Sequence, residues 1–545
     1  MIGKNKSAFT LFAGYLFIND QIMRIFLLAF LLAGQVAFCQ SPELTIVRNW
    51  TQRQQPALVQ EFVSFLSIPN VAADTAHLLE NALWIRRKMQ DLGIGNVRLL
   101  TGKGSGYPPA VYGEVIVPGA RETLGFYAHY DGQPVNPAQW AKGLSPFTPA
   151  LYDGSLMSGG KPVAFPMAGA SGAVSGSGVS SGAGIYRPEW RIYARGASDD
   201  KAGVFAILTA YAALSAGGMR PACNLKFLFE GEEEAGSLHL GDIFEANTGL
   251  LKTDCWLICD GPVHQTGRKQ IVFGVRGDTH LDLTVYGPRR PLHSGHYGNW
   301  ANNPAMLLVQ LLASMKDDSG RVLIRGFYDD VQPLSPTEDS ALRMLPSVDE
   351  QMKEELGLAT VDMKGKNLYE AINLPSLNIN GIQSGNVGAQ ASNQIPTFAT
   401  AVLDLRLVLG NDWRRQQQKV IDHIKARGFT VLDREPTDVE RLKYPLLIKV
   451  LAPAGSYNAQ RTAMNLPVVE QIRKALQATT PDPLVLQPTF GGSLPLYLFE
   501  QDLQAHPITV PIANHDNNQH SENENIRLQN LWSGIESMAA LMMIR

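Results

Sequence analysis

The sequence predicts an α/β protein with a mostly parallel sheet and an inserted α+β domain. One observation is a set of short apolar runs, typical of strands buried on both faces of a sheet, at residues 124–128, 225–229 and 256–259. Polar, acidic or glycine-rich residues follow each run, and helical stretches come next in two cases, as expected for a sheet covered by helices. The other observation is a change of sequence pattern at about residue 275, where apolar and polar residues begin to alternate. The strand-then-helix order resumes only near residue 460.

These patterns divide the chain into domains. We expect one domain to be assembled from residues 41–274 and 451–545, with residues 275–450 inserted as the second domain. Within the first domain, residues 154–184 are crowded with Gly, Ser and Ala and carry almost no charge, which predicts a long surface loop.

The N-terminus predicts export. Met23 and Arg24 give a basic start, the apolar run 25–38 is too short to span a bilayer comfortably, and a cleavage point follows at Cys39. Residues 1–39 are therefore interpreted as a signal peptide of a periplasmic or secreted protein with no stable membrane span after cleavage, and Met1 or Met23 is the true start. A lipidated Cys39 and a retained N-terminal anchor are the alternatives.

Composition excludes some partners and some sources of stability. The formal net charge of -3 leaves no basic surplus for a phosphate backbone, so we expect no nucleic-acid partner. Without Cys39, three cysteines remain, an odd number that does not make a disulfide framework.

Several acidic and histidine residues follow the predicted strands. His129 and Asp131 come directly after the first apolar run, and Asp260 directly after the third. The carboxyl edge of the strands is where open α/β sheets place their ligand sites. After the second run, Glu230, Glu232, Glu233 and Glu234 stand within five residues, and their mutual repulsion calls for a cation. Adjacent carboxylates there can divide the work, one binding a metal and the other handling a proton.

Asp199 and His520 complete the predicted ligand set. Asp199 opens a predicted helix, where its carboxylate either caps the helix or bridges two cations. Ser521 and Glu524 form a capping-box pattern that predicts the final helix to begin at Ser521, just after His520, and His515 is the competing histidine. Two histidines and three carboxylates suit two divalent ions, zinc or alternatively manganese, with Asp199 as the shared ligand.

Taken in order along the chain, these motifs resemble the M20 family of metallopeptidases, and above all its dipeptidase branch, which includes carnosinase and the cytosolic non-specific dipeptidase. The likeness extends from about residue 50 to residue 540. It implies that His129, Asp199, Glu234, Asp260 and His520 bind two metal ions, that Glu233 is the general base for a metal-bridged water, and that Asp131 orients His129. It also implies a cis peptide between Asp199 and Asp200.

The resemblance further implies that the inserted domain is a lid through which the chain forms a homodimer. His293 matches the histidine that reaches the partner subunit's site, and Asn393, Arg406 and Ser493 match groups that bind the substrate. Arg406 suits a free C-terminal carboxylate, because its guanidinium pairs with two oxygens at once. The length of residues 154–184, and Asn393 where carnosinase-like members have threonine, depart from the family pattern.

The expected function is hydrolysis of dipeptides or short peptides with a free C-terminal carboxylate. An N-acyl-amino-acid deacylase on the same scaffold is the alternative, because the same metals and Arg406 would serve it. A non-catalytic binding protein is the third hypothesis, and it predicts the loss of a ligand or of the base, whereas all seven of those positions are filled.

Overall fold

The computed structural model describes residues 41–104, 106–166, 186–453, 455–492 and 494–545. The predicted signal peptide, most of the glycine- and serine-rich stretch and Ser493 lie outside these residues.

The described helices of the α type are α1 (Pro42–Leu66), α2 (Thr75–Asp91), α3 (Lys201–Ala216), α4 (Leu240–Leu251), α5 (Ser294–Tyr297), α6 (Pro304–Ala313), α7 (Pro336–Arg343), α8 (Asp349–Leu356), α9 (Leu368–Ile372), α10 (Trp413–Ala426), α11 (Asp438–Lys443), α12 (Pro467–Gln477), α13 (Tyr497–Gln501) and α14 (Leu528–Met542).

The described strands are β1 (Gly95–Leu100), β2 (Ala110–Val115), β3 (Thr123–His129), β4 (Ala150–Tyr152), β5 (Pro162–Val163), β6 (Arg191–Tyr193), β7 (Asn224–Glu230), β8 (Cys255–Ile258), β9 (Gln270–Val272), β10 (Gly274–Val275), β11 (Gly277–Tyr286), β12 (Leu292–His293), β13 (Ser376–Gln383), β14 (Gln394–Ile395), β15 (Phe398–Leu407), β16 (Thr430–Leu432), β17 (Leu447–Leu451), β18 (Gln460–Arg461), β19 (Val485–Gln487), β20 (Pro507–Thr509) and β21 (Asn525–Arg527).

An eight-stranded sheet forms the centre of the molecule, in the order β1-β2-β7-β3-β8-β20-β9-β19. Its central strands β7, β3, β8 and β20 run parallel to one another, while β1 and β2 continue it as antiparallel strands. The central strands are buried, and α1, α3 and α14 pack together beside them. The predicted α/β class with a mostly parallel sheet is confirmed.

A second, five-stranded sheet lies in the stretch predicted to be the inserted domain, in the order β13-β15-β11-β17-β16. Strand β11 alternates buried and half-buried residues, so one face of this sheet packs against α6 and α10 and the other carries polar side chains. Helices packed on one face of a mostly antiparallel sheet are the α+β structure that the alternation of apolar and polar residues predicts.

The two stretches of chain that pass between the sheets pair with each other. Strands β10 and β18 form a two-stranded antiparallel ladder, with Gly274 opposite Arg461 and Val275 opposite Gln460. The neighbouring Arg276 donates its backbone N–H to the carbonyl oxygen of Gly492 at 3.3 Å, and its guanidinium donates to the carbonyl oxygen of Leu374 at 3.0 Å and to Ser376 Oγ at 2.8 Å.

Two details differ from the sequence prediction. The final helix begins at Leu528, not at Ser521, because the Glu524 carboxylate accepts hydrogen bonds from the distant segment 195–199 and does not cap its own helix. The described part of residues 154–184 also contains the short strand β5, which pairs with β4, so that part is not wholly loop. Cys223, Cys255 and Cys259 are buried and free, in agreement with the absence of a disulfide framework.

The Trp256 ring of β8 packs closely over Gly125 of the neighbouring strand β3. Gly125 of β3 lies opposite Trp256 of β8, and a Cβ atom at residue 125 would meet the Trp256 ring at 2.3 Å. We predict that Gly125→Ala lowers the free energy of unfolding by about 1–3 kcal/mol, because the fully buried ring has no room to retreat. Urea denaturation measures the change.

Gly249→Ala is the matched control, since a Cβ at this exposed residue of α4 meets nothing within 4 Å. Alanine in a helix is more stable than glycine by about 0.5–1 kcal/mol, so this variant should be at least as stable as the wild type. Equal stability of the two variants would show that the contact between Gly125 and Trp256 is not tight.

Candidate metal centre

Neighbouring parallel strands place three of the predicted ligands at one edge of the sheet. His129 is the last residue of β3, Asp260 follows β8, and Glu234 lies in a short 3₁₀ helix, Glu233–Ala235, just after β7. Because β7, β3 and β8 are adjacent and parallel, their carboxyl ends meet at the same edge. Asp199 joins them from the turn before α3, and its peptide bond to Asp200 is cis.

The five predicted ligands form two groups that share Asp199. In the first group, His129 Nε2 lies 3.0 Å from Asp199 Oδ1 and 3.8 Å from Asp260 Oδ2. In the second, His520 Nε2 lies 3.1 Å from Asp199 Oδ2 and 3.3 Å from Glu234 Oε2. The competing His515 is exposed and belongs to neither group.

The donor set fits divalent cations. His129 Nε2 and Asp199 Oδ2 are buried from solvent and make no hydrogen bond of acceptable geometry, although each faces other ligand atoms. Buried polar atoms without partners are costly, and a cation between them would supply the missing interaction. Imidazole nitrogens combined with carboxylate oxygens are ligands that zinc accepts.

The pKa values of these groups report how closely they are packed. Burial raises the pKa of Glu234 to about 8, with repulsion from Asp199 adding to it, and burial with the same repulsion raises the pKa of Asp260 to about 6. Burial also raises the pKa of Glu233 well above its usual range, with repulsion from Asp260 adding to the effect. The pKa of Asp199 is lowered despite its burial, because both histidines lie beside it.

Asp131 links the first ligand to the acidic segment after β7. Its side chain is fully buried and lies 3.3 Å from His129 Nδ1. It also accepts the backbone N–H of Glu233 at 3.1 Å and that of Glu234 at 2.9 Å. Asp131 therefore holds both His129 and the two glutamates in place.

The sequence did not predict the contacts that three side chains make around the centre. Gln133 donates to Glu234 Oε2 at 2.7 Å, and Asp200 accepts the backbone N–H of His129 at 3.2 Å and caps α3. Glu524 accepts the backbone N–H of Asp199 at 3.0 Å. The carboxylate of Glu524 was visible in the sequence, but its local pattern pointed to the wrong partner.

Three of the four predicted substrate-binding residues, His293, Asn393 and Arg406, lie in the stretch that carries the second sheet. His293 and Asn393 are both exposed, and Ser294, next to His293, donates its backbone N–H to the carbonyl oxygen of Asn393 at 2.9 Å. Among the described residues, no hydrogen bond or ion pair joins either of them to the five ligands. Ser493 lies outside the described residues, beside Gly492, which accepts from Arg276.

Arg406 lies between two carboxylates on the polar face of the second sheet. Its Nε atom is 3.2 Å from Asp404 Oδ1 and 3.7 Å from Asp278 Oδ1. Asp278, Asp404 and His280 could by geometry hold a cation. The Arg406 guanidinium already supplies positive charge to both carboxylates, so this cluster is explained without a metal ion.

The chain matches a known peptidase family over more than half of its length. The sequence profile of peptidase family M20/M25/M40 matches residues 180–544, more than half of the chain. The chain belongs to peptidase family M20/M25/M40. The resemblance seen in the motifs is thereby confirmed, and the protein is a peptidase of a family that uses divalent metals.

Individual M20 relatives cover nearly the whole chain. The Cys-Gly metallodipeptidase DUG1 of Candida albicans is 27% identical over 510 residues, which are 90% of this chain and 94% of that protein. The Beta-Ala-His dipeptidase of Mus musculus is 24% identical and covers 84% of this chain and 83% of its own length. The structure of the M20 family metallo-carboxypeptidase Sso-CP2 from Sulfolobus solfataricus superimposes with a TM-score of 0.71 at 28% identity, covering 89% of this chain and 98% of that one.

The comparisons correct the expectation of export. The yeast DUG1 relatives, which align over 94–98% of their length, are cytosolic enzymes. The prediction of a periplasmic or secreted protein is therefore wrong, because it depended on one apolar run near the N-terminus, outside the described residues. None of the described helices is long and apolar enough to cross a membrane.

Divalent metal should stabilise this M20 peptidase through Asp199. We predict that Zn²⁺ at 100 times its Kd raises the free energy of unfolding of the metal-free protein by about 2.7 kcal/mol for one site. Asp199→Asn should abolish most of this gain, because both ligand groups use that carboxylate. Asp404→Asn is the matched control and should keep the gain, and thermal unfolding with and without metal measures both.

The stabilisation of the protein by Zn²⁺ should grow with pH. In the metal-free protein, the raised pKa values of Glu234 and Asp260 mean that the folded state holds protons that the unfolded chain releases. Its stability therefore falls as the pH rises from about 4 towards 8. Because metal binds the deprotonated carboxylates, the stabilisation by Zn²⁺ should be larger at pH 8 than at pH 6. A gain independent of pH would mean that the ion binds elsewhere.

Proposed function

We propose that the protein is a dinuclear metal-dependent dipeptidase that cleaves dipeptides or short peptides with a free C-terminal carboxylate. The observation that carries this proposal is the sharing of Asp199 between two ligand groups at one edge of the sheet. His129 and Asp260 would hold one divalent ion and Glu234 and His520 the other. We propose zinc for both, with manganese as the alternative.

When bound, two such ions would supply Lewis acidity, polarising the scissile carbonyl and lowering the pKa of a water molecule. The protein's own residues would do the rest of the work. They bind the substrate, orient it, and move protons between water and the leaving amine.

Glu233 is the proposed general base. It belongs to neither ligand group, its side chain is 11% exposed, and its Oε2 atom lies 3.9 Å from His129 Nε2. In this role Glu233 accepts a proton from water as the water oxygen bonds to the carbonyl carbon. It then gives the proton to the leaving nitrogen as the C–N bond breaks. The hydrogen bond from its backbone to Asp131 supports this placement.

The proposed domains divide the work between the metals and the substrate. Residues 41–274 and 451–545 would form the catalytic domain, and residues 275–450 the lid. Arg406 of the lid would bind the substrate's C-terminal carboxylate together with Ser493 of the catalytic domain, and Asn393 of the lid would contact the scissile carbonyl. The names of the relatives, Cys-Gly and Beta-Ala-His dipeptidases, support small peptides as the substrate class.

A substrate panel tests this proposal. We predict turnover of dipeptides with a free C-terminus, and a loss of at least tenfold in kcat/KM for the same peptides as C-terminal amides. The reason is that Arg406 would lose a charge-assisted pair of hydrogen bonds, worth more than about 1.4 kcal/mol. The N-acyl-amino-acid deacylase is the runner-up, because its substrates keep the carboxylate that Arg406 would bind. Turnover of N-acyl amino acids alone would overturn the dipeptidase.

Glu233→Gln serves as the control for chemistry within this panel. It should lower kcat by about 100-fold or more while leaving the five ligands, and therefore metal content, intact. Loss of metal together with activity would instead make Glu233 a ligand.

We also propose that the protein is a homodimer through its lid, with His293 completing the partner subunit's site and stabilising the oxyanion. The exposure of His293 and the lack of a described contact between it and its own metal centre support this. Light scattering should give a mass of about twice 59.5 kDa. His293→Ala should keep this mass and lower kcat, with His296→Ala as the neighbouring control. A monomer with full activity would contradict the role of His293.

A further inference from the structure

Glu524 is buried without exposure to solvent, and its carboxylate accepts hydrogen bonds from the segment that carries Asp199. Its Oε1 atom accepts the backbone N–H of Ser198 at 2.9 Å, Ser198 Oγ at 3.0 Å and the backbone N–H of Asp199 at 3.0 Å. Its Oε2 atom accepts Arg195 Nη1 at 2.8 Å and the backbone N–H of Gly196 at 3.0 Å. One carboxylate thus fixes a whole turn of backbone.

The same residue lies four positions after His520, the ligand that faces Asp199 from the other side. Strand β21 begins at Asn525 and pairs with β6, so that Asn525 lies opposite Tyr193, and the backbone N–H of Ala194 donates to the Glu524 carbonyl oxygen at 3.1 Å. The backbone N–H of Asn525 also donates to the Asn517 carbonyl oxygen at 2.8 Å, which closes the loop that holds His520. Glu524 therefore joins the segment of Asp199 to the segment of His520.

We propose that Glu524 is a positioning residue for the metal centre: it holds the Asp199 carboxylate at hydrogen-bond distance from both His129 and His520. This inference rests on the proposed metal sites. Two features distinguish the role from ordinary packing. The backbone N–H of Asp199 itself donates to Glu524, and all five of the donors come from residues 195–199.

Glutamine at residue 524 would disturb this arrangement without changing its shape. A carboxylate offers two acceptor oxygens, whereas an amide offers one and turns an NH2 group towards donors. Glu524→Gln therefore loses the contacts at one of the two oxygens and leaves N–H groups facing N–H groups. Outer-shell partners of metal ligands typically change metal affinity by about 10- to 100-fold when they are replaced.

Glu536→Gln provides the matched control. Glu536 is a second glutamate with little exposure, in α14, and it pairs with Arg48 through both of its oxygens. It contacts neither the segment 195–199 nor the loop of His520 among the described hydrogen bonds. Each variant weakens a different inward-facing glutamate–arginine pair. Of the two glutamates, only Glu524 contacts a residue that is a proposed metal ligand.

The experiment measures metal affinity directly. Metal-free wild type, Glu524→Gln and Glu536→Gln are titrated with Zn²⁺ in competition with a chromophoric chelator. Visible spectra are also recorded after loading with Co²⁺. We expect Glu524→Gln to bind Zn²⁺ about 10- to 100-fold more weakly and to change the Co²⁺ spectrum, while Glu536→Gln stays within about twofold of the wild type. Equal affinity and spectra for Glu524→Gln and wild type, or equal losses in both variants, would overturn the positioning role.

Two further measurements distinguish failure of the positioning role from failure of the proposed dinuclear function. If Glu524→Gln does not fold, Ser198→Ala removes one of the five donors and should weaken Zn²⁺ binding by a few-fold, and an unchanged affinity there would overturn the inference. Wild type that binds fewer than two Zn²⁺ ions would overturn the proposed dinuclear function itself. Wild type that binds two ions, with unaffected variants at 524 and 198, would overturn only the role of Glu524.

Discussion

Repulsion among buried carboxylates governs the structure around the metal centre. Asp199, Asp260, Glu233 and Glu234 lie together at one sheet edge, each with a side chain almost closed to solvent. Two unit charges 4 Å apart repel by about 4 kcal/mol at an effective dielectric constant of about 20. Burial, and in addition this repulsion, raises the pKa values of Glu233, Glu234 and Asp260, and bound cations would replace the repulsion by attraction. Without metal the carboxylates reduce this repulsion by holding protons, and bound cations would offset it while the carboxylates are charged.

Holding such groups together requires rigid support from all sides. The hydrogen-bonded parallel strands β3, β7 and β8 supply it at their carboxyl ends, and the Trp256 ring packs closely over Gly125 between two of them. Two further carboxylates fix the neighbouring loops by accepting hydrogen bonds from backbone N–H groups. Asp131 binds the segment after β7, and Glu524 binds the segment before α3. Acidic side chains thus serve two purposes here, as ligands and as acceptors that shape the loops carrying those ligands.

The sequence predicted most of this arrangement because the decisive signals are local. Apolar runs that end in His129, Glu230 and Asp260 mark strands and place their ends at one edge, and the structure brings these ends together. Glu524 was misassigned because Ser521-x-x-Glu524 is a local capping pattern, whereas its actual partners lie more than three hundred residues earlier in the chain. The same limit applied to the apolar run at 25–38, whose hydrophobicity alone does not determine where a protein resides. For Glu524, long-range contacts outweighed the local capping pattern. For residues 25–38, the comparison with relatives corrected the prediction of export.

The chain passes between the two sheets through a pair of hydrogen-bonded strands. Strands β10 and β18 form a hydrogen-bonded ribbon, and Arg276 next to it is bonded both to Gly492 and to the start of β13. A ribbon of two bonded strands bends across its width more easily than its strands slide past each other, because sliding breaks the ladder. The ladder between β10 and β18 therefore favours bending over sliding where the chain passes between the two sheets. Bending at this ladder would change the distance between the metal centre and Arg406, which lies on β15 of the second sheet.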